Sequence, residues 1–160
     1  MLTPWKKLGE ERTNAGHRTI IHKTFQLPDG KKSVYDISAD GDVVCILALT
    51  VDQHVILVRQ FRPGPEALLL ELPGGFLEPH QTPIQTAREE LLQETGYTGD
   101  IKAVTTRPFS GYSNRTYHSF VATNCQRVQA QDLESEEFIE VVTVPLETFR
   151  NHLRTGALTD

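Results

Sequence analysis

The stretch "GGFLEPHQTPIQTAREELLQETGY" (Gly74–Tyr97) decides how this chain reads. It opens on a glycine pair after Pro73, passes through a short loop, and enters a helix that is signalled at both ends. Thr82 can cap the N-terminus, Pro83 suits the first helical position, and Gln85 completes a Thr-x-x-Gln capping box. Gly96 is the residue expected just past the C-terminus. The spacing predicts a helix over 83–95. Residues on a helix advance by about 100° each. With Glu90 as origin, Glu94 lies about 40° to one side, Thr86 about 40° to the other and Gln93 about 60° away. Ile84, Ala87 and Leu91 share a neighbouring face that can pack on a sheet. Carboxylates at i and i+4 repel by roughly 0.2–0.5 kcal/mol on an exposed helix. A cation between them reverses that cost, and Mg²⁺ accepts one or two carboxylates plus water and phosphate oxygens. A solvated acidic face is the plain alternative. The preceding strand and Pro-Gly-Gly loop place backbone carbonyls beside the helix and favour the cation.

On the N-terminal side, Arg18–Leu27 alternates in part and ends at the turn signal "PDG", and Lys32–Ala39 follows, so the two predict a hairpin. "DVVCILALT" (Asp42–Thr50) and "HVILVRQF" (His54–Phe61) are continuous, β-branched apolar runs. They read as central strands covered on both faces. "LLLELP" (Leu68–Pro73) is a further short strand. More strands are expected near Ile101–Arg107, Thr116–Asn124 and Phe138–Val144, and "PLETFRNHLRTG" reads as a last helix starting at Pro145. The pattern is α/β, a mixed sheet with helices on its faces.

The 160 residues suit one domain, 1–160, with N-terminal strands over 1–40 and a core over 41–160. Hydrophobic residues make up 38% and charged residues 23%, which places the chain among globular rather than disordered sequences. The net charge of −5 and the scattered basic residues argue against nucleic-acid and membrane-surface partners. Cys45 and Cys125 lie in or beside apolar runs without metal-ligand spacing, so they read as buried free thiols of a reducing compartment. The six histidines form no ligand-spaced set. No apolar run is long enough for a membrane span, and the opening "MLTPWKKLGEERTNAG" lacks the apolar stretch of a signal peptide, so the expected location is the cytoplasm.

The helix and its loop resemble the Nudix hydrolase box, Gly-x5-Glu-x7-Arg-Glu-U-x-Glu-Glu-x-Gly-U, with U a bulky apolar residue. Taking Gly75 as the first glycine sets Glu90, Leu91, Glu94, Gly96 and Tyr97 in place. Reading Arg88-Glu89 as the Arg-Glu pair instead puts Glu90 at an apolar position and spoils the spacing to Gly96. In the better register three positions depart from the pattern: Gln81 and Gln93 replace glutamates, and Glu89 replaces the arginine. The segments "PWKKL…LPDGKKSVYDI", "VRQFRPG", "ELPGGFLEP", "PFSGYSNRTYHSFVA" and "EEFIEVVTVPLETF" are similar to the ADP-ribose and nucleotide-sugar pyrophosphatase branch, and together they span nearly the whole chain.

The resemblance implies a Nudix fold, an α/β/α sandwich around a mixed sheet with an N-terminal β-hairpin. It implies hydrolysis of the pyrophosphate in ADP-ribose or a related nucleoside diphosphate-linked molecule, with Mg²⁺ or Mn²⁺ as cofactor. Metal ligands carried over are the carbonyl of Gly74 and the carboxylates of Glu90 and Glu94, with the amide of Gln93 at a third acidic position. Glu89 stands where an arginine usually pairs with a box glutamate. The three exchanges leave the net charge unchanged but move it, so one cation is expected at Glu90 and Glu94 and a second binds weakly or not at all. The branch takes its base from a late loop, here "QDLESEEF", and Glu137 is the choice by spacing, beside Glu134 and Glu136 and against a plain solubilising loop. Arg62 is placed to clamp phosphate, Arg115 faces phosphate or solvent, and Trp5 and Tyr112 are candidates to stack on the base. For Arg62 and Trp5, a surface cation and a packing anchor are the alternatives. The branch implies a homodimer whose N-terminal strands reach the neighbouring site, and relatives commonly continue past "TGALTD" into another helix. Gln81, Glu89 and Gln93 also fit a catalytically weak or inactive module that binds a nucleotide as a sensor or partner domain. A protein that uses only the scaffold for interaction is the third reading.

Overall fold

The structure, a computed structural model, describes residues 3–157. These residues form two compact units, one running to Asp42 and including Arg107–Tyr117, the other comprising Val43–Thr106 and the chain from His118 onward.

In the first unit, β1 (Lys6–Ala15), β2 (Arg18–Gln26) and β3 (Lys32–Ser38) make an antiparallel three-stranded sheet in the order β1-β2-β3. The β2–β3 hairpin turns at the "PDG" signal, where Gly30 takes the positive φ of 86°. β1 is not anticipated by the sequence reading. All ten of its residues are exposed, so no apolar alternation marks it, and its backbone ladder to β2 defines it. Ile21 and Ile37 face each other across β2 and β3, and both are buried.

The segment 107–117 belongs to the first unit. It joins the first unit through the Ser38 N–H to the Tyr112 carbonyl at 3.0 Å and the Asn114 N–H to the Ser38 carbonyl at 3.1 Å. Pairings between residues this far apart in the chain leave no local pattern to read.

The second unit is built on a six-stranded sheet. It runs β6 (Ala67–Glu71), β5 (His54–Arg62), β4 (Val43–Thr50), β8 (Thr116–Arg127), β7 (Tyr97–Pro108), with β9 (Ile139–Pro145) also paired to β5. The two apolar runs form β4 and β5 and are covered on both faces. Val44, Ile46, Ala48 and Ile56 pack with Ala87 and Leu91 of α1 (Pro83–Thr95). The alternate residues Val55, Leu57, Leu47 and Leu49 pack with Phe149 of α2 (Leu146–Thr155). This is the expected α/β/α arrangement around a mixed sheet. Each fully buried Leu, Ile or Val side chain contributes roughly 1.5–3 kcal/mol, so α1 is held chiefly by its packed face. Its bounds match the expectation: the Gln85 Oε1 accepts the Thr82 N–H at 2.9 Å, and Gly96 closes the helix in the left-handed conformation. Cys45 and Cys125 are buried and free, as expected.

After β6 the chain runs along β4. The Ile46 N–H donates to the Pro73 carbonyl and the Val44 N–H to the Gly75 carbonyl, both at 2.9 Å. Gly74, between them, lies so close to β4 that a Cβ would sit 2.2 Å from the Val44 carbonyl oxygen. Backbone cannot yield there as a flexible side chain would, so Gly74→Ala is expected to destabilise the chain by about 2 kcal/mol or more. The check is a lower denaturant midpoint at unchanged slope.

Candidate active site

Packing of Ala87 and Leu91 on the sheet turns the Glu90/Glu94 stripe of α1 toward the Pro73–Gly75 segment. Glu94 is 4% exposed, and its Oε2 accepts the Gly74 N–H at 2.8 Å. Glu90 lies over Gly75, where a Cβ would come within 2.2 Å of its Oε1. Both glycines are therefore required by close approach, Gly74 to backbone and Gly75 to a carboxylate.

A cleft of about 270 Å³ opens beside this pair, walled by Glu78, Glu89, Glu134 and Glu137 together with Gln81, Gln93 and Thr86. The crowding of carboxylates raises their proton affinity. Burial pushes Glu90 up to about 7, aided by the charges of Glu137, Glu78, Glu134 and Glu89. Burial pushes Glu94 up to about 8, with the Gly74 N–H opposing and Glu90 and Glu137 adding to the rise. A buried and a half-buried carboxylate that resist ionisation this strongly form a donor set suited to a divalent cation. Among the described residues no three His, Cys, Asp or Glu side chains converge as a closed metal cage. Mg²⁺ fits such an open set, because it takes one or two carboxylates and completes its shell with water and phosphate oxygens.

Two of the three departures from the box meet each other. The Gln81 Nε2 donates to the Glu89 Oε2 at 2.6 Å, and the Gln81 Oε1 accepts the hydroxyl of Thr86 at 2.8 Å. Gln93, the third, is exposed on the cleft wall, and its carbonyl accepts the Asp132 N–H at 2.9 Å.

The other expected residues distribute as follows. Glu137 lines the cleft, and its Oε2 accepts the Glu134 N–H at 3.0 Å; Glu134 lines the cleft as well. Arg62, at the end of β5, pairs through Nε with Glu71 at 2.8 Å, and its charge reaches Glu94. Trp5 and Tyr112 are placed together in the first unit. They line a cleft of about 450 Å³ with Phe25, Tyr35, Ile37 and Lys23, and the Trp5 ring lies 5.7 Å from that of Tyr35. Arg115 lies in the first unit as well. It is 8% exposed, and its guanidinium bonds to Asp40 and Ser38 and lies over the Phe109 ring. The reason is Asp40. Its own burial would raise its carboxyl, but bonds from Arg18, Thr19 and Ser38 and the charge of Arg115 bring it down to about 2. A buried anion of this kind needs its cation, so Arg115 anchors the first unit.

Sequence reasoning did not single out Glu78 or Asp40 and left Glu89 without a partner. Glu78 sits three residues after Gly75 in a loop whose course is set by β4, and only that course turns it to the cleft. Thr86, on the expected stripe, was placed by angle alone; it is 1% exposed and accepts the Glu78 N–H at 3.4 Å.

The profile of the NUDIX domain matches residues 40–158. The chain belongs to the Nudix hydrolase family. This Nudix protein is 37% identical over 150 residues to the ADP-ribose pyrophosphatase of Bacillus subtilis (strain 168), covering 86% of this chain and 80% of that protein. It is 33% identical over 166 residues to the ADP-sugar pyrophosphatase of Mus musculus, covering 89% and 75%. A solved structure described as an ADP compounds hydrolase superposes with a TM-score of 0.84 at 20% identity, covering all of this chain and 88% of the other, and it supports the Nudix fold. No helix among the described residues is long and apolar enough to cross a membrane.

Two outcomes follow from the site's geometry. Gly75→Ala meets only the end of a flexible side chain, so the protein should fold with little loss of stability while Glu90 is displaced. A misplacement of this size costs about 100-fold in rate, to be read as kcat against an unchanged unfolding midpoint. The second outcome concerns pH. Glu90 and Glu94 have folded values of about 7 and 8 against an ordinary 4.5. The unfolded chain thus releases these protons first, and stability declines as pH rises from 4.5 through 8. In chelator, the thermal midpoint should be lower at pH 8.5 than at pH 5.5, and Glu94→Gln should flatten that slope.

Proposed function

We propose that this chain hydrolyses the pyrophosphate of ADP-ribose or a related nucleoside diphosphate sugar, using Mg²⁺ or Mn²⁺. The observation that carries the reading is the Glu90–Glu94 pair, Glu94 buried and fastened to the Gly74 N–H, Glu90 half-buried and pressed on Gly75, in a cleft of further carboxylates. The names of the relatives, an ADP-ribose and an ADP-sugar pyrophosphatase, support the substrate class. Glu90, Glu94 and the Gly74 carbonyl would hold the cation, with the Gln93 amide as an uncharged neighbour. A divalent ion bound there neutralises pyrophosphate charge and lowers the pKa of a bound water.

The protein's own groups do the rest. Glu137 takes the proton of the attacking water at its carboxylate, and its place beside Glu90 supports this role. Water adds to one phosphorus, the bridging P–O bond breaks, and ADP-ribose yields AMP and ribose 5-phosphate. Arg62 holds a phosphate oxygen with its guanidinium while Glu71 fixes its Nε. Trp5 and Tyr112 stack on the base, supported by the aromatic cleft they line in the first unit. Arg115 supports the first unit through Ser38 and Asp40. The protein acts as a homodimer, a reading supported by the exposed outer strand β1, and in the cytoplasm, supported by two free buried thiols.

A nucleotide-binding module without turnover is the second reading, and Gln93 on the cleft wall favours it. The Gln81–Glu89 hydrogen bond weakens it, because those two departures satisfy one another. AMP release from ADP-ribose, ADP-sugars and dinucleotides, with Mg²⁺ and with Mn²⁺, separates the two. The expected result is turnover that falls by at least about 100-fold in Glu94→Gln, since even partners one shell further out cost 10–100-fold. Binding of ADP-ribose without AMP release, unaltered in that variant, would favour the module.

A further inference from the structure

We propose that Gln81 and Glu89 act as one positioning pair, which locks the loop after Gly75 onto α1 beside Glu90. The inference rests on the reading of Glu90 and Glu94 as the cation site. An ionised carboxylate can only accept, so Glu89 requires the Nε2 of Gln81 to face it, at 2.6 Å. The Oε1 then faces Thr86, whose hydroxyl donates at 2.8 Å because its oxygen already accepts the Glu78 N–H at 3.4 Å. The three bonds run in one direction, from the Glu78 backbone through Thr86 and Gln81 to Glu89. Thr86 is 1% exposed, so the middle of the relay is shielded from competing water. The relay spans the loop and the first two turns of the helix and ends one residue before Glu90. It also holds Glu78, another wall of the cleft.

The geometry demands one donor and one acceptor between positions 81 and 89, and the polarity can be reversed. A carboxylate at 81 accepts from Thr86 as the amide oxygen does, and a guanidinium at 89 donates back to it. Changing one position alone breaks the match. Gln81→Glu sets two carboxylates face to face. Glu89→Arg sets donor against donor, relieved only by an amide rotation that takes the acceptor from the Thr86 hydroxyl.

The test is the four-member cycle of parent, Gln81→Glu, Glu89→Arg and the double variant. It is read by Mn²⁺ titration calorimetry on the folded chain without substrate, by kcat and KM for ADP-ribose, and by the unfolding midpoint. Gln81→Glu is expected to lower Mn²⁺ affinity and kcat by about 10–100-fold with KM little changed, and Glu89→Arg by about tenfold. The double variant should return to within about threefold of the parent, which is the coupling expected of a contacting pair. A pair that only braces the fold lowers the midpoint and leaves Mn²⁺ affinity and kcat intact, which overturns the inference. Losses that add in the double variant overturn it too. A parent chain that takes up no Mn²⁺ overturns the cation site and the pair with it, whereas a parent that binds, with single variants that bind equally well, overturns the pair alone.

Discussion

The hydrogen bond from the Gly74 N–H to the Glu94 carboxylate ties the sheet to α1, and the site depends on it. It exists because Gly74 has no side chain. The carbonyls of Pro73 and Gly75 are drawn onto β4, and the glycine between them approaches the Val44 backbone more closely than any Cβ could allow. On the other side, Ala87 and Leu91 press α1 onto the same strand. Glu94 is caught between these two packings. Its burial results from apolar contacts made elsewhere, and the energy to hold an unhappy carboxylate comes from the core of the second unit.

That origin explains the electrostatics. One backbone N–H offsets only part of the desolvation of Glu94, and the neighbouring carboxylates add to the strain on Glu90 rather than relieve it. A site of this kind stores unfavourable free energy that a divalent cation releases on binding. Elsewhere in the chain the same pressure is resolved internally. Asp40 is buried as well, but Arg18, Arg115, Thr19 and Ser38 surround it with donors. The contrast separates two kinds of desolvated acid: Asp40 is surrounded by donors, whereas Glu90 and Glu94 are left in need of a positive partner.

The altered box takes on a different meaning in this setting. As letters, Gln81, Glu89 and Gln93 are three losses from a motif. In space, the first two form one short hydrogen bond that joins the loop to the helix, and only Gln93 remains an uncompensated change on the cleft wall. The amount of chemistry retained by such a site is therefore better judged from pairs in contact than from the number of mismatched positions.

Much of the fold was legible in the chain because its signals are local. Thr82, Pro83, Gln85 and Gly96 delimit α1 through bonds made within a few residues, and two apolar runs of strand length, rich in β-branched residues, read as strands covered on both faces. The helical repeat alone put Glu90 and Glu94 on one stripe. What depended on tertiary structure are the features made by residues distant in sequence. β1 has no apolar pattern and exists through its ladder to β2. Segment 107–117 joins the first unit through Ser38, some 75 residues away. Arg115 is claimed by Asp40, and Glu78 is turned to the cleft by a loop that follows β4. Local sequence determined which residues could ionise, cap and pack. Burial, which only the assembled sheet and helix supply, raised the proton affinity of Glu90 and Glu94, and tertiary contacts set Arg115 against Asp40.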